Sequence, residues 1–185
     1  MRRVTILLPL IVALALMAVF AAALLSGRDA QTIPSALLDK KLPPFSVPLL
    51  TGTGTDRLRS DQLKSPEGTI TLLNIWASWC TPCLAEHPYI SDLARHDHIR
   101  LAGLNYKDEA DAARRFLDKH GDPYETIGVD RDGAVAIDLG VYGVPETYLI
   151  DNQGIIRYKV TGPITPDIIE TELTPLFQQL ITAAD

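Results

Sequence analysis

Hydrophobic and polar positions divide the chain into three stretches. The first, Val4–Leu25, is an uncharged apolar run (VTILLPLIVALALMAVFAAALL). As a helix it is about 33 Å long, enough to cross a hydrocarbon core of about 30 Å. Pro9 lies early in it, where a kink is tolerable in a membrane helix. The second stretch, residues 26–41, is mixed and polar with Pro34, and reads as a tether. The third, residues 42–185, carries short periodic segments and reads as one domain.

Within that domain Phe45–Leu50 reads as an edge strand, where proline is tolerated, and Thr51–Thr55 (TGTGT) as a turn. Ile70–Trp76 (ITLLNIW) is a short apolar run of the kind that makes a buried strand. Pro82 opens a helix that runs to Arg95, since proline fits a first helical turn. Arg100–Tyr106 predicts a second strand, and Asp108–Lys119 a polar helix with Ala110, Ala113 and Phe116 at helical spacing. A short strand at Thr126–Val129 and a short helix at Ala134–Leu139 follow. Thr147–Asp151 and Ile155–Val160 read as a hairpin turned at Asn152-Gln153-Gly154. Thr165 caps a last helix from Pro166 to Thr182. Strands alternating with helices predict an α/β fold with helices on both faces of a sheet. The terminal hairpin makes that sheet mixed.

Charge sharpens the picture. The 185 residues carry a net charge of −6, with 17 basic against 23 acidic side chains. Two of the basic ones, Arg2 and Arg3, precede the apolar run, so the domain is more acidic still. A nucleic-acid binder would need a basic face. By the positive-inside rule Arg2 and Arg3 stay cytoplasmic, and the domain lies across the membrane. A cleaved signal peptide is the competing reading, with Ala21-Ala22-Ala23 as its cleavage site. Signal cores span only about 7–15 residues, however, so length favours an anchor. In a bacterial cell the domain then faces the periplasm, an oxidising compartment.

There are two cysteines, Cys80 and Cys83, too few for a disulfide scaffold. They follow a buried strand and open a helix, at i and i+3. Free N–H groups of a first helical turn stabilise a thiolate and lower its pKa. Cys80 is therefore expected to be the exposed nucleophile, and Cys83, one turn inward, the resolving thiol. A structural zinc site would need four ligands, and the four histidines show no paired spacing to complete one. His87, His96, His98 and His120 are read as structural or surface residues, and no metal is expected.

The tract WASWCTPCLAEHP (Trp76–Pro88), with GLNYKDE (Gly103–Glu109) and YGVPETYLID (Tyr142–Asp151), resembles the thioredoxin superfamily. Within it the chain is similar to the membrane-anchored DsbE/CcmG family of cytochrome c maturation. The resemblance covers roughly Leu42–Leu180 and implies a thioredoxin-like fold with an αβ insertion at Asp108–Val129 that helps shape a partner groove. It implies that Pro88 kinks the active-site helix, and that Val144-Pro145 is a cis peptide facing the cysteines. Trp79 is expected to pack beside the thiols and shield them, with Pro82 between the two cysteines supporting the turn.

One departure from thioredoxins carries information. They hold a buried acid six residues before the first cysteine, where this chain has Asn74, which cannot accept a proton from the resolving thiol. Glu86, three residues after Cys83 on the same helical face, is the candidate replacement. Buried, it would have a raised pKa and serve as general base for Cys83. Glu146, beside Pro145, is a second candidate, as an acid of the site or a partner contact.

The resemblance then implies a thiol:disulfide oxidoreductase whose only redox group is the Cys80–Cys83 pair. Its expected substrate is apocytochrome c or its thiol-carrying chaperone, and its electron donor a transmembrane thiol reductant. A disulfide oxidase or isomerase is the alternative within the class. A copper-delivery module is the alternative outside it, and needs a third ligand such as His87.

Overall fold

The computed structural model describes residues 2–25, 35–66 and 68–182, with side chains in the first helix at positions 9 and 12–22. The chain divides into two compact units, Met1–Ile33 and Pro34–Asp185. The first contains helix α1, Arg2–Leu25. Among the described residues no helix is long and apolar enough to cross a membrane. Residues 26–34 of the expected tether lie outside the described residues. Its other end, residues 35–41, is not a free tether. Lys41 bridges Ile155, Asp39 N–H donates to the Ile156 carbonyl at 2.8 Å, and Leu37 and Leu38 pack on the domain core.

The domain is a five-stranded mixed sheet covered on both faces. Its strands are β3 (Ile70–Trp76), β4 (Ile99–Tyr106), β5 (Thr126–Asp130), β6 (Glu146–Ile150) and β7 (Ile156–Thr161), in the order β5-β4-β3-β6-β7. Strands β3, β4 and β5 are parallel, while β6 runs antiparallel to β3 and β7 antiparallel to β6. All seven residues of β3 are buried, as a central strand with both faces covered requires. The inserted strand β5 takes the sheet edge beyond β4.

Alternation along β3 sends Ile70, Leu72, Asn74 and Trp76 to one face and Leu73 and Ile75 to the other. The first face packs against α2 (Thr81–Leu93), α3 (Ala110–His120) and the C-terminal helices through Ile90, Leu93, Phe116, Leu173 and Phe177. The second packs against Leu58, Leu63, Val135 and Leu139. Gly103 is dictated by the first face. A Cβ there would stand 2.9 Å from Trp76 Nε1 and 3.1 Å from Tyr124 Cδ1.

Phe45–Leu50 holds a shorter strand than expected. β1 (Ser46–Pro48) pairs with β2 (Arg57–Arg59) in a two-stranded sheet across the Thr51–Thr55 turn, while Leu49 bridges Gly128 and Leu50 N–H donates to the Ile127 carbonyl at the edge of the main sheet. The final helix runs without a break from Pro166 to Thr182, as expected, with a π-helical turn inside it. Thr165 caps α5 (Pro166–Ile168), a π-turn occupies Ile169–Leu173, and α6 (Thr174–Thr182) follows. The polar helix starts at Ala110, because the Asp108 carboxylate is engaged with neighbouring backbone and side-chain donors. Elsewhere element ends differ from expectation by a residue or two.

Candidate active site

The cysteines sit where β3 hands over to α2. Cys80 is the N-cap of α2, in extended conformation, and Pro82 occupies the first turn. The two sulfurs are bonded at 2.05 Å, and Cys83 N–H donates to Cys80 Sγ at 3.1 Å. That hydrogen bond and the positive helix terminus both favour negative charge on the first sulfur. Exposure does not separate the pair as expected, since Cys80 is 4% and Cys83 3% exposed. The asymmetry between them is electrostatic, because only Cys80 caps the helix.

The turn carrying Cys80 is braced by the loop after β4. Asp108 accepts from Ser78 N–H at 2.6 Å, Ser78 Oγ at 2.9 Å, Asn105 Nδ2 at 3.0 Å and Glu109 N–H at 2.8 Å. Charge-assisted bonds of this kind are stronger than neutral ones and hold geometry. Lys107 lies in the left-handed region, φ 44°, and its carbonyl accepts from Trp79 Nε1 at 3.1 Å. Trp79 is 58% exposed, so it lies on the surface next to Cys80 in sequence. Leu84 and Tyr142 are also exposed.

Glu86 stands one turn beyond Cys83 on α2 and is 1% exposed. Its carboxylate accepts from Asn74 Nδ2 at 2.9 Å and from Ile164 N–H at 2.8 Å. Burial pushes its pKa up to about 7, against the smaller opposing pull of those two donors. Asn74 also donates to Thr147 Oγ1 at 3.0 Å and accepts from the Tyr124 hydroxyl at 2.8 Å. Tyr124, from the insertion, stacks on Trp76 at 5.6 Å. Pro88 lies inside α2, which continues past it to Leu93.

Val144-Pro145 is a cis peptide, and Val144 packs on the same apolar cluster as the two cysteines. The next residue, Glu146, is also 1% exposed, so it is not a partner contact. Its Oε2 is 2.9 Å from Lys159 Nζ, whose side chain is itself 3% exposed. Glu146 also accepts from Tyr142 N–H at 3.0 Å, and Lys159 donates to the Gly140 carbonyl at 2.8 Å. A salt bridge therefore pins residues 140–146, the loop that ends in the cis proline. Glu86 and Glu146 belong to different networks.

His87 is buried, with Nε2 3.0 Å from the Gly121 carbonyl and its ring edge-on to Phe116 at 5.3 Å. His87, a candidate third ligand for a copper site, thus has a backbone carbonyl as its partner. Asp108, Tyr124 and Lys159 were not singled out in the sequence. Asp108 could have been found from the GLNYKDE motif that contains it, whereas nothing local marks Tyr124 or Lys159.

The Redoxin family model matches residues 38–174. The chain is 41% identical over 186 residues to the thiol:disulfide interchange protein DsbE of Escherichia coli K12, covering 97% of this chain and 96% of that one. It is 42% identical over 183 residues to DsbE of Pseudomonas aeruginosa, covering 98% and 97%. A solved structure of a DsbE-type thiol:disulfide interchange protein from Chlorobium tepidum is similar at a TM-score of 0.60 and 26% identity, over 80% of this chain and 99% of that one. With a thioredoxin-like domain, a Cys80–Cys83 disulfide capping its helix and relatives of this likeness along nearly its whole length, the chain belongs to the DsbE family of thiol:disulfide interchange proteins.

Proposed function

We propose that this oxidoreductase works as a reductant of protein disulfides in cytochrome c maturation, anchored in the inner membrane by Val4–Leu25 with its N-terminus cytoplasmic and its domain in the periplasm. The observation that carries the reading is Glu86, a buried carboxyl one turn past Cys83 whose pKa is pushed up to about 7. Such a group holds or takes a proton near neutral pH, as a general base for a resolving thiol must. The uncharged run behind Arg2 and Arg3 supports the anchor and its orientation.

In this reading the Cys80 thiolate attacks a substrate disulfide. A Cys80–substrate disulfide forms, and the displaced substrate sulfur leaves as a thiolate that takes up a proton. Glu86 then accepts the Cys83 proton. The Cys83 thiolate attacks Cys80 Sγ, the internal disulfide closes, and the second substrate sulfur is released reduced. Two electrons have moved from the Cys80–Cys83 pair to the substrate. The substrate is apocytochrome c or its thiol-carrying chaperone. A transmembrane thiol reductant restores the pair, which an oxidising compartment would otherwise keep as a disulfide. An anchor raises the local concentration of membrane-bound partners.

The test is covalent capture. Cys83→Ser retains a mixed disulfide between Cys80 and its substrate on non-reducing gels of membranes, whereas Cys80→Ser retains none. Identification of a cytochrome c maturation thiol protein in the adduct supports the reading. Equal capture by both variants refutes the assignment of roles. A reduction potential against glutathione near about −120 mV, the range of strong oxidants, refutes the direction.

A further inference from the structure

The insertion between β4 and α4 (Ala134–Asp138) meets the hydrogen-bond network of Glu86 at Tyr124. Tyr124 is buried, its ring stacked on Trp76, and its hydroxyl donates to Asn74 Oδ1 at 2.8 Å. We infer that Tyr124 is a positioning residue for Glu86: its hydroxyl fixes which end of the Asn74 amide faces the carboxylate.

The argument is one of hydrogen-bond inventory. A primary amide offers two donors at nitrogen and an acceptor oxygen. Both Asn74 donors are used, one on Glu86 Oε1 at 2.9 Å and one on Thr147 Oγ1 at 3.0 Å. Its oxygen is turned away from Glu86 toward the phenol. With the phenol donating to that oxygen, the amide presents N–H to Glu86 and supports the carboxylate. Without it, the buried oxygen loses its partner, and the amide can turn. An oxygen facing Glu86 Oε1 repels a carboxylate and accepts from a protonated carboxyl. The hydroxyl therefore biases Glu86 toward ionisation from two hydrogen bonds away.

The groups around Glu86 allow this reading. On β3 and β6 its network meets neutral Asn74 and Thr147, and from the loop before α5 it meets Ile164 N–H. On α2 the nearest redox group, Cys83, is held in the disulfide. From the insertion come Tyr124 and, behind it, Asp122, which accepts Tyr124 N–H at 3.0 Å. Burial, with Glu86 and Asp122 adding to it, holds the phenol well above its ordinary pKa, so the proton it donates stays in place. The inference extends the proton-acceptor role proposed for Glu86, but its readout is the carboxyl itself rather than activity.

The experiment is a 13C titration of the Glu86 side-chain carboxyl in the full chain with labelled glutamate, the signal assigned with Glu86→Gln. Tyr124→Phe keeps the ring and its stacking. It should raise the Glu86 midpoint by about one pH unit, a tenfold change in the ratio of neutral to ionised carboxyl. In an Asn74→Ala background the same substitution should leave the midpoint unmoved, because the intermediary is gone. Site-specific 3-fluorotyrosine at position 124, a stronger donor, should shift the midpoint the opposite way. An unmoved midpoint in Tyr124→Phe overturns the inference, as does an equal shift with Asn74 absent. Exchange kinetics indifferent to a shifted Glu86 midpoint would count against the proton role and leave the positioning role intact.

Discussion

The two faces of the central sheet each bury a glutamate, and treat it differently. Glu146 and Thr147 are adjacent on β6 and point to opposite faces. On one face Glu146 meets Lys159 at 2.9 Å, charge against charge, and together they brace the loop of the cis proline. On the other, Thr147 helps hold Asn74, which supports Glu86 with neutral donors alone. Both carboxyls are 1% exposed, but their partners differ. Glu146 is ion-paired with a lysine as part of the scaffold, whereas Glu86 has amide and backbone N–H donors alone, and burial outweighs them to push its pKa up to about 7.

The comparison is broken most severely at Lys159. Lys159→Met leaves Glu146 buried without a countercharge, and removing one partner of a buried pair costs about 3–5 kcal/mol. Urea unfolding at neutral pH should show a loss of that order, and Lys159→Met with Glu146→Gln should recover much of it. An effect below about 1 kcal/mol would place the pair in the class of surface bridges and end the contrast.

The next largest effect lies at Glu86 and depends on pH. Its folded pKa, about 7, is above its ordinary value of 4.5. Below 4.5 the carboxyl is neutral in folded and unfolded chains alike, and the fold carries no penalty. As pH rises to about 7 the unfolded chain ionises first, so stability drains away, and above 7 the loss is complete. The total is about 3 kcal/mol by linkage. Glu86→Gln should abolish this decline, measured as unfolding free energies at pH 4.5 and pH 9. The same variant should slow the second exchange step more than the first. A parallel pH dependence in the two proteins would show that folding does not shift the Glu86 carboxyl.

These particulars also show what can be read from sequence. The β3 run and the Cys80-Thr81-Pro82-Cys83 helix start are legible because their signals are local: an unbroken apolar stretch, then a proline in a first turn. Glu86 is legible because helical spacing alone places it a turn beyond Cys83. Its partners are not, since Tyr124 lies 50 residues from Asn74 and Ile164 lies 78 from Glu86. Only the closed sheet brings them together. Lys159 reads as a solvated charge on a hairpin strand, and its burial follows from β6 pairing with β7. The three-residue strand β2 is too short for an alternation to register. The burial of Cys80 was missed because helix position predicts which thiol is stabilised, not how much of it is covered.

The mildest test lies at the hinge of the comparison, Thr147. Its hydroxyl accepts one Asn74 N–H, and Thr147→Val keeps its shape and β-branching while deleting that acceptor. A lost neutral hydrogen bond is worth about 1 kcal/mol. Because Thr147 points away from Glu146, the Lys159 pair should not feel the change. Coupling energies from double-mutant cycles decide it: Thr147→Val should couple to Asn74→Ala and be additive with Lys159→Met. Additivity with both would mean that the Asn74–Thr147 bond contributes nothing to the support of Glu86. Coupling to Lys159→Met would mean that the two faces are one network.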